Sequence, residues 1–191
     1  MSVIIVGITG ASGAIYGIRL LEALSGTEGV QTHLIISEYG ERTIRHETTY
    51  DIASVRKLAH CCYDVNDVGA AVASGSFRRD AMVVAPCTIK TMSGLANSYA
   101  DNLIVRAGDV TLKERKPLIL LVRETPLHLG HLRNMVQLTE MGAIIFPPMP
   151  TFYNHPKSIE DIVNHTVGRL MDLLGLKHDF YKPWAGDLPS E

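Results

Sequence analysis

The chain alternates short, unbroken apolar runs rich in β-branched residues with longer stretches whose apolar residues recur at helical spacing. No other feature limits the fold so strongly. Five runs read as strands: SVIIVGIT (2–9), VQTHLIIS (30–37), AMVVAP (81–86), PLILLVRE (117–124) and GAIIFPP (142–148). The spacing predicts a helix with Ile15, Ile18, Leu21 and Leu24 on one face, then helices over 38–47, 52–59, 89–97, 101–113, 127–141 and 158–174. Strands joined through helices pair in parallel, by right-handed crossovers. Strands that are apolar at every position, not every second one, fit a sheet covered on both faces.

The expected fold is therefore an open, doubly wound α/β sheet, Rossmann or flavodoxin-like, with helices on both faces. A length of 191 residues suits one such domain, expected over 1–175. A polar, proline-bearing tail over 176–191 with Trp184 is expected to pack on a neighbouring subunit. Hydrophobic content of 46% with mean hydropathy +0.11 is rich for a monomer and points to subunit contacts. A net charge of −2 with scattered signs excludes a nucleic-acid or membrane-surface footprint. Cys61, Cys62 and Cys87 form no C-x-x-C pair, no basic leader is read at the start, and no apolar run reaches membrane length. A cytoplasmic protein is expected.

Ligands of such sheets bind beyond the carboxyl ends of the strands, where strand order reverses. The first strand runs into VGITGASGAIYG, with glycines at Gly7, Gly10, Gly13 and Gly17. That is not the dinucleotide spacing G-x-G-x-x-G, although G-x-x-G-x-x-G occurs in some nicotinamide-binding enzymes and Glu38 lies where a ribose-binding carboxylate would fall. After the strands come, in turn, Thr9 to Gly13, then Ser37 and Glu38, then Thr88, Lys90, Thr91 and Ser93, then Arg123 and Glu124, and last the loop carrying Tyr153. Hydroxyls, helix-start amides and cations are what a phosphate needs. Ser12, Ser37 or Thr88 taken singly is more simply a helix N-cap; three on one sheet edge point to a ligand. Two hydroxyl-bearing turns suit a mononucleotide, FMN, better than a dinucleotide.

The segments GITGASGAIYG, ETTYD, ASGSF, PCTIKTMSG, RAGDVTLKERKPLILLVRETPLHLGHLRNM and PPMPTFYNHP span about residues 3–175 and together resemble the flavin prenyltransferases, the UbiX-like family. The resemblance implies an enzyme joining a dimethylallyl group from dimethylallyl monophosphate to reduced FMN, whose prenylated product serves a UbiD-type decarboxylase. It implies flavin contacts at Gly10, Ala11, Ser12, Ser37, Thr88, Ile89, Lys90, Thr91 and Arg123. The allyl phosphate would be held by Lys113, Tyr153 and Arg169 with Arg123 and Glu124 close by, and Arg106 would reach across from a second subunit. Catalytic roles fall to Glu124, Glu47, Ser12 and Lys113. A high-order homo-oligomer, a dodecamer, is implied. No motif position departs; Thr88 stands where some relatives carry serine.

The residue chemistry agrees. Negative charge gathers on phosphate as it leaves, and arginine and lysine stabilise it by roughly 1.5–3 kcal/mol for each charge-assisted bond. A carboxylate such as Glu124 can carry the protons that move as ring bonds form. Tyr153 and Trp184 offer aromatic faces to an allyl cation; Tyr99 and Phe152 are expected to pack. His128 and His131 lack a third ligand at metal spacing and are expected to cap or pack a helix start, so no metal is assigned. Cys87 is expected to be a small buried residue. Two rivals remain: an FMN-dependent decarboxylase of the peptidyl-cysteine type, whose P-x-M-N-x-x-M-W segment is replaced here by PPMPTFYNHP, and a non-enzymatic flavin carrier.

Overall fold

The computed structural model describes residues 1–184 and 186, and the chain divides into two compact units, residues 1–148 and 149–191. The first holds β1 (Ser2–Ile8), α1 (Ala14–Ser25), β2 (Val30–Ile36), α2 (Glu38–Glu47), α3 (Ile52–Lys57), β3 (Cys61–Tyr63), β4 (Ala81–Cys87), α4 (Ile89–Ala96), α5 (Leu103–Lys113), β5 (Leu118–Val122), α6 (Leu129–Glu140) and β6 (Ile144–Ile145). The strands form one sheet in the order β3-β2-β1-β4-β5-β6, and every pairing is parallel. The doubly wound expectation holds.

The sheet direction reverses at β1, so successive right-handed crossovers place helices on opposite faces. Accordingly α1 packs with α2, while α4 packs with α5 and α6. Period-two alternation divides each strand between the two layers. Ile5, Ile35, Met82, Val84, Leu118 and Leu120 share a buried cluster with Met92, Leu95, Ile104, Ala107 and Leu138. The residues between them in sequence, such as Ile4, Val6, Leu34 and Val83, are buried as well. Both faces being covered is why the strands read as unbroken apolar runs.

Two strands differ from expectation. β3, which pairs with β2 from His33↔Cys61 to Ile35↔Tyr63, carries no apolar run and is made by its partner. β6 is two residues long, not the seven of 142–148, because Pro147 and Pro148 cannot donate to a ladder. The six strands therefore exceed the five expected.

The second unit is built on α7 (Ile159–Leu173), opened by a capping box in which Ser158 Oγ accepts from Asp161 N and Asp161 accepts from Ser158 N. Glu160 and Asp161 stand in its first turn, as the helix dipole favours. Of the tail expected over 176–191, residue 185 and residues 187–191 lie outside the described residues. The preceding stretch is tied to α7 through one carboxylate. Asp172 accepts from His178 Nε2 at 2.9 Å, from Arg169 Nη1 at 2.9 Å and from the Tyr181 hydroxyl. Tyr99 and Phe152, expected to pack, are 69% and 70% exposed. Neither finds enough apolar surface within its own chain.

Candidate functional site

The glycines of the opening loop serve the backbone. Gly13, the N-cap of α1, sits at φ 99°, a left-handed conformation that costs a side chain dearly. A Cβ on Gly17 would fall 2.2 Å from Ala85 O, so only glycine lets α1 lie this close to β4. Gly10 and Ala11 line the half-buried turn between β1 and α1.

That turn ends on a carboxylate. Glu47 accepts the Gly13 N–H at 2.8 Å and the Ala14 N–H at 3.3 Å, and bonds the Ser12 side chain. Partial burial pushes its carboxyl up; the bonds from Ser12, Gly13 and Ala14 and the positive charge of Arg123 outweigh that and hold it below its usual value. The positive end of α1, where a Rossmann sheet holds a pyrophosphate, is occupied by the protein's own anion.

The next two helix starts differ. Ser37 caps α2 by accepting from Gly40 N at 3.0 Å, with Glu38 and Glu41 in the first turn. Thr88 caps α4 by accepting from Thr91 N at 3.2 Å, and the first turn of α4 has no acid. The Thr88 hydroxyl also donates to Thr91 Oγ1 at 3.0 Å. Ile89 and Lys90 open the helix, Lys90 pairing with Asp101 at 3.1 Å while staying 78% exposed.

Thr9 joins the two strands that flank the reversal. Its hydroxyl donates to Pro86 O at 2.7 Å and accepts from Thr88 N at 2.9 Å. Arg123, directly after β5, donates its backbone N–H to Cys87 O at 3.3 Å, and its exposed side chain lies within electrostatic reach of Glu47. Glu124 is exposed and accepts from Thr125 N at 3.0 Å. Cys87 is fully buried and its thiol is pushed up to about 12 by burial, as an inert packing residue should be. His128 caps α6 by accepting from Gly130 N at 3.0 Å, with the His131 ring tilted against it at 3.6 Å between centroids. Among the described residues no three histidine, cysteine, aspartate or glutamate side chains could hold a metal ion.

The expected grouping of Lys113 with Arg123 and Glu124 does not form within one chain. Lys113 ends α5, pairs with Glu114 and lies against Gly75, beside the turn that enters β5. Arg123 and Glu124 lie past the other end of that strand, five residues or roughly 16 Å away. Arg106, on the same helix as Lys113, pairs with Asp109 at 3.1 Å.

In the second unit, the Tyr153 hydroxyl meets His165 Nε2 at 3.2 Å, and its ring meets Trp184 edge-on at 5.5 Å. Arg169 donates to Asp172 at 2.9 Å and to the Tyr181 hydroxyl at 3.2 Å. The i, i+4 spacing of His165 and Arg169 on α7 was the available signal for His165, which the sequence reading passed over.

A parallel sheet whose order reverses between β1 and β4, with the hydroxyl-capped starts of α2 and α4 at its strand ends, defines a nucleotide-binding α/β protein of flavoprotein type. The protein-family model described as Flavoprotein matches residues 2–171. The "Flavin prenyltransferase UbiX" of Thauera aromatica is 54% identical over 188 residues, covering 98% of this chain and 96% of the relative. The crystal structure of AnUbiX (PadA1) in complex with FMN and dimethylallyl pyrophosphate has a TM-score of 0.95 at 47% identity, covering 97% of this chain and 98% of that one. A dodecameric FMN-dependent UbiX-like decarboxylase from Escherichia coli O157:H7 matches with TM-score 0.95 at 47% identity, covering 96% and 100%. The chain belongs to the UbiX flavin prenyltransferase family.

Proposed function

We propose that this flavin prenyltransferase takes its allyl group from dimethylallyl monophosphate, works without metal, and supplies prenylated FMN to a UbiD-type decarboxylase in the cytoplasm. The observation that carries the site assignment is the contrast between helix starts. Glu47 fills the end of α1, whereas the first turn of α4 carries no acid, and its Thr88 and Thr91 hydroxyls bond each other within the turn. The phosphate of FMN is held there and by Ser37, with Gly10, Ala11, Ser12, Ile89, Lys90 and Arg123 against the rest of the flavin. Such a helix end supplies about half a positive charge together with aimed N–H groups.

The allyl phosphate is held by Tyr153 and Arg169, and Arg123 and Glu124 take part in its transfer. As the carbon–oxygen bond breaks, the arginines stabilise charge collecting on the phosphate oxygens. Glu124 and Glu47 hold and move protons, Ser12 setting the Glu47 carboxylate. Lys113, remote from Arg123 in its own chain, and Arg106 serve the site of a neighbouring copy. A homo-oligomer supplies that copy, and a dodecamer is the assembly we propose. Leu129, Leu132 and Val136 of α6, from 46% to 60% exposed, are the apolar surface such an assembly covers. Residues 1–175 act as the flavin-binding domain and the tail packs on a neighbour.

The test is anaerobic incubation of the protein with reduced FMN and dimethylallyl monophosphate, followed by extraction and mass measurement of the flavin. A gain of one five-carbon unit supports the reading. Unaltered FMN, with the donor consumed or untouched, overturns it.

A further inference from the structure

The Thr151, Tyr153 and Tyr181 side chains surround one imidazole. His165 is 9% exposed, meets the Thr151 hydroxyl through Nδ1 at 3.2 Å and the Tyr153 hydroxyl through Nε2 at 3.2 Å, and packs against the Tyr181 ring at a tilt, with centroids 4.5 Å apart. These residues line a cavity of about 610 Å³ that also takes in Lys157 and Trp184. We propose that His165 is a positioning residue that fixes the Tyr153 hydroxyl as a hydrogen-bond donor to the departing phosphate. The inference rests on the substrate role given to Tyr153 above.

The protons available to the three side chains decide which way the phenol points. Burial first, then the Arg169 charge, lowers the His165 pKa and favours the neutral ring. A neutral imidazole has one N–H and one bare nitrogen, and each of its two neighbours is a hydroxyl able to donate or accept. In one tautomer Nδ1–H donates to Thr151, and Nε2 takes the Tyr153 proton. The phenol then shows only lone pairs to the cavity, which repel an anion. In the other tautomer the Thr151 hydroxyl donates to Nδ1 and Nε2–H donates to the Tyr153 oxygen. The phenolic proton is then free to point outward. An anion selects the second arrangement, so the relay Thr151–His165–Tyr153 makes the tyrosine a donor when phosphate is present. Arg169, one helical turn beyond His165 at i+4, presents its charge on the same face.

Dimethylallyl monophosphate binding to the FMN-loaded protein, and turnover, should be compared among His165→Phe, His165→Gln, Tyr153→Phe and the double variant His165→Phe/Tyr153→Phe. His165→Phe should raise Kd and KM for the donor about tenfold with kcat at saturation little changed, the size expected for a lost hydrogen bond to an anion-binding hydroxyl. His165→Gln, whose amide N–H reaches the Nε2 position, should recover most of that loss. The double variant should be no worse than Tyr153→Phe. Should Tyr153→Phe bind the donor normally, the site reading fails and takes this inference with it. An impaired Tyr153→Phe beside a normal His165→Phe, or losses that multiply in the double variant, overturns this inference alone. If the phenylalanine variant melts without cooperativity, the wild-type protein decides the matter. Nitrogen NMR of histidine-labelled protein titrated with inorganic phosphate should show the proton of His165 settling on Nε2. A proton remaining on Nδ1 overturns the proposal.

Discussion

The Glu47 carboxylate lies 2.8 Å from the Gly13 backbone nitrogen, bringing an anion from the end of α2 onto the N-cap amide of α1. It neutralises a helix end that in related folds is left for phosphate. Glu47→Gln should therefore cost about 1 kcal/mol of stability at neutral pH, the usual worth of an anion at a helix start. Because folding lowers this carboxyl's pKa from 4.5, the unfolded chain binds more protons just below that value. The contribution is present above about pH 4.5 and is lost as pH falls through the folded value. Urea unfolding at pH 7 and pH 4 should show the wild type converging on the variant; parallel losses at both pH values would contradict this.

Thr9→Val keeps volume but strands the Thr88 N–H where β1 and β4 part, and leaves Pro86 O only its bond from the Thr9 backbone N–H at 3.3 Å. Since Thr9 is only 2% exposed, the expected loss is about 1–3 kcal/mol. FMN affinity should weaken with it, because the α4 start loses its tether. Calorimetry together with flavin fluorescence checks both, and unchanged FMN affinity would detach Thr9 from the site.

His33 is 5% exposed, bonds Tyr63 at 2.9 Å and meets the Phe77 ring edge-on at 5.0 Å. Burial, then the charge of His60, lowers its pKa from 6.5. The unfolded chain therefore takes up the proton first as pH falls. Stability should be full above about pH 6.5 and decline below it. His33→Phe should flatten that slope between pH 7.5 and 5.5; an unaltered slope would assign the pH dependence elsewhere.

Glu124→Gln should leave FMN binding intact and slow prenylation by about 100-fold or more, the usual contribution of a proton-carrying group. Single-turnover kinetics with bound reduced FMN separates the two effects. Near wild-type rates would remove Glu124 from the chemistry.

Donor choice and metal can be tested together. Enzymes that ionise allyl diphosphates through magnesium hold it on carboxylate-rich segments, and of Glu160 and Asp161, the nearest such pair in sequence, Asp161 is taken up in the capping box of α7. Turnover with the monophosphate should survive EDTA and exceed turnover with the pyrophosphate named in the AnUbiX complex. Activity lost to chelator and restored by magnesium is the contrary result.

The helices were legible because their ends carry local signals. Ser37, Thr88 and Ser158 each cap the helix expected behind them. β3 was not legible, since Cys61–Tyr63 becomes a strand only through register with β2. The site was legible as a set of strand ends but not as a set of partners. Lys113 and Arg123 are ten residues apart in sequence, yet a strand stands between them and sends them to opposite edges. Thr9 looked like one hydroxyl among several, because its partners Pro86 and Thr88 are 77 and 79 residues away. Long-range pairing of this kind leaves no local pattern.

Asp172 also decides when Arg169 loses its freedom. A solvent-exposed arginine surrenders about 1.5–2 kcal/mol of rotamer entropy when a ligand fixes it. Here Asp172 and Tyr181 restrain the guanidinium through Nη1 during folding. For the phosphate role proposed for Arg169, much of that ordering precedes the encounter, and the anion meets a charge already aimed. On that proposal, part of the affinity for phosphate derives from the folding equilibrium. The contacts that steady the end of the chain and the affinity for phosphate should weaken together.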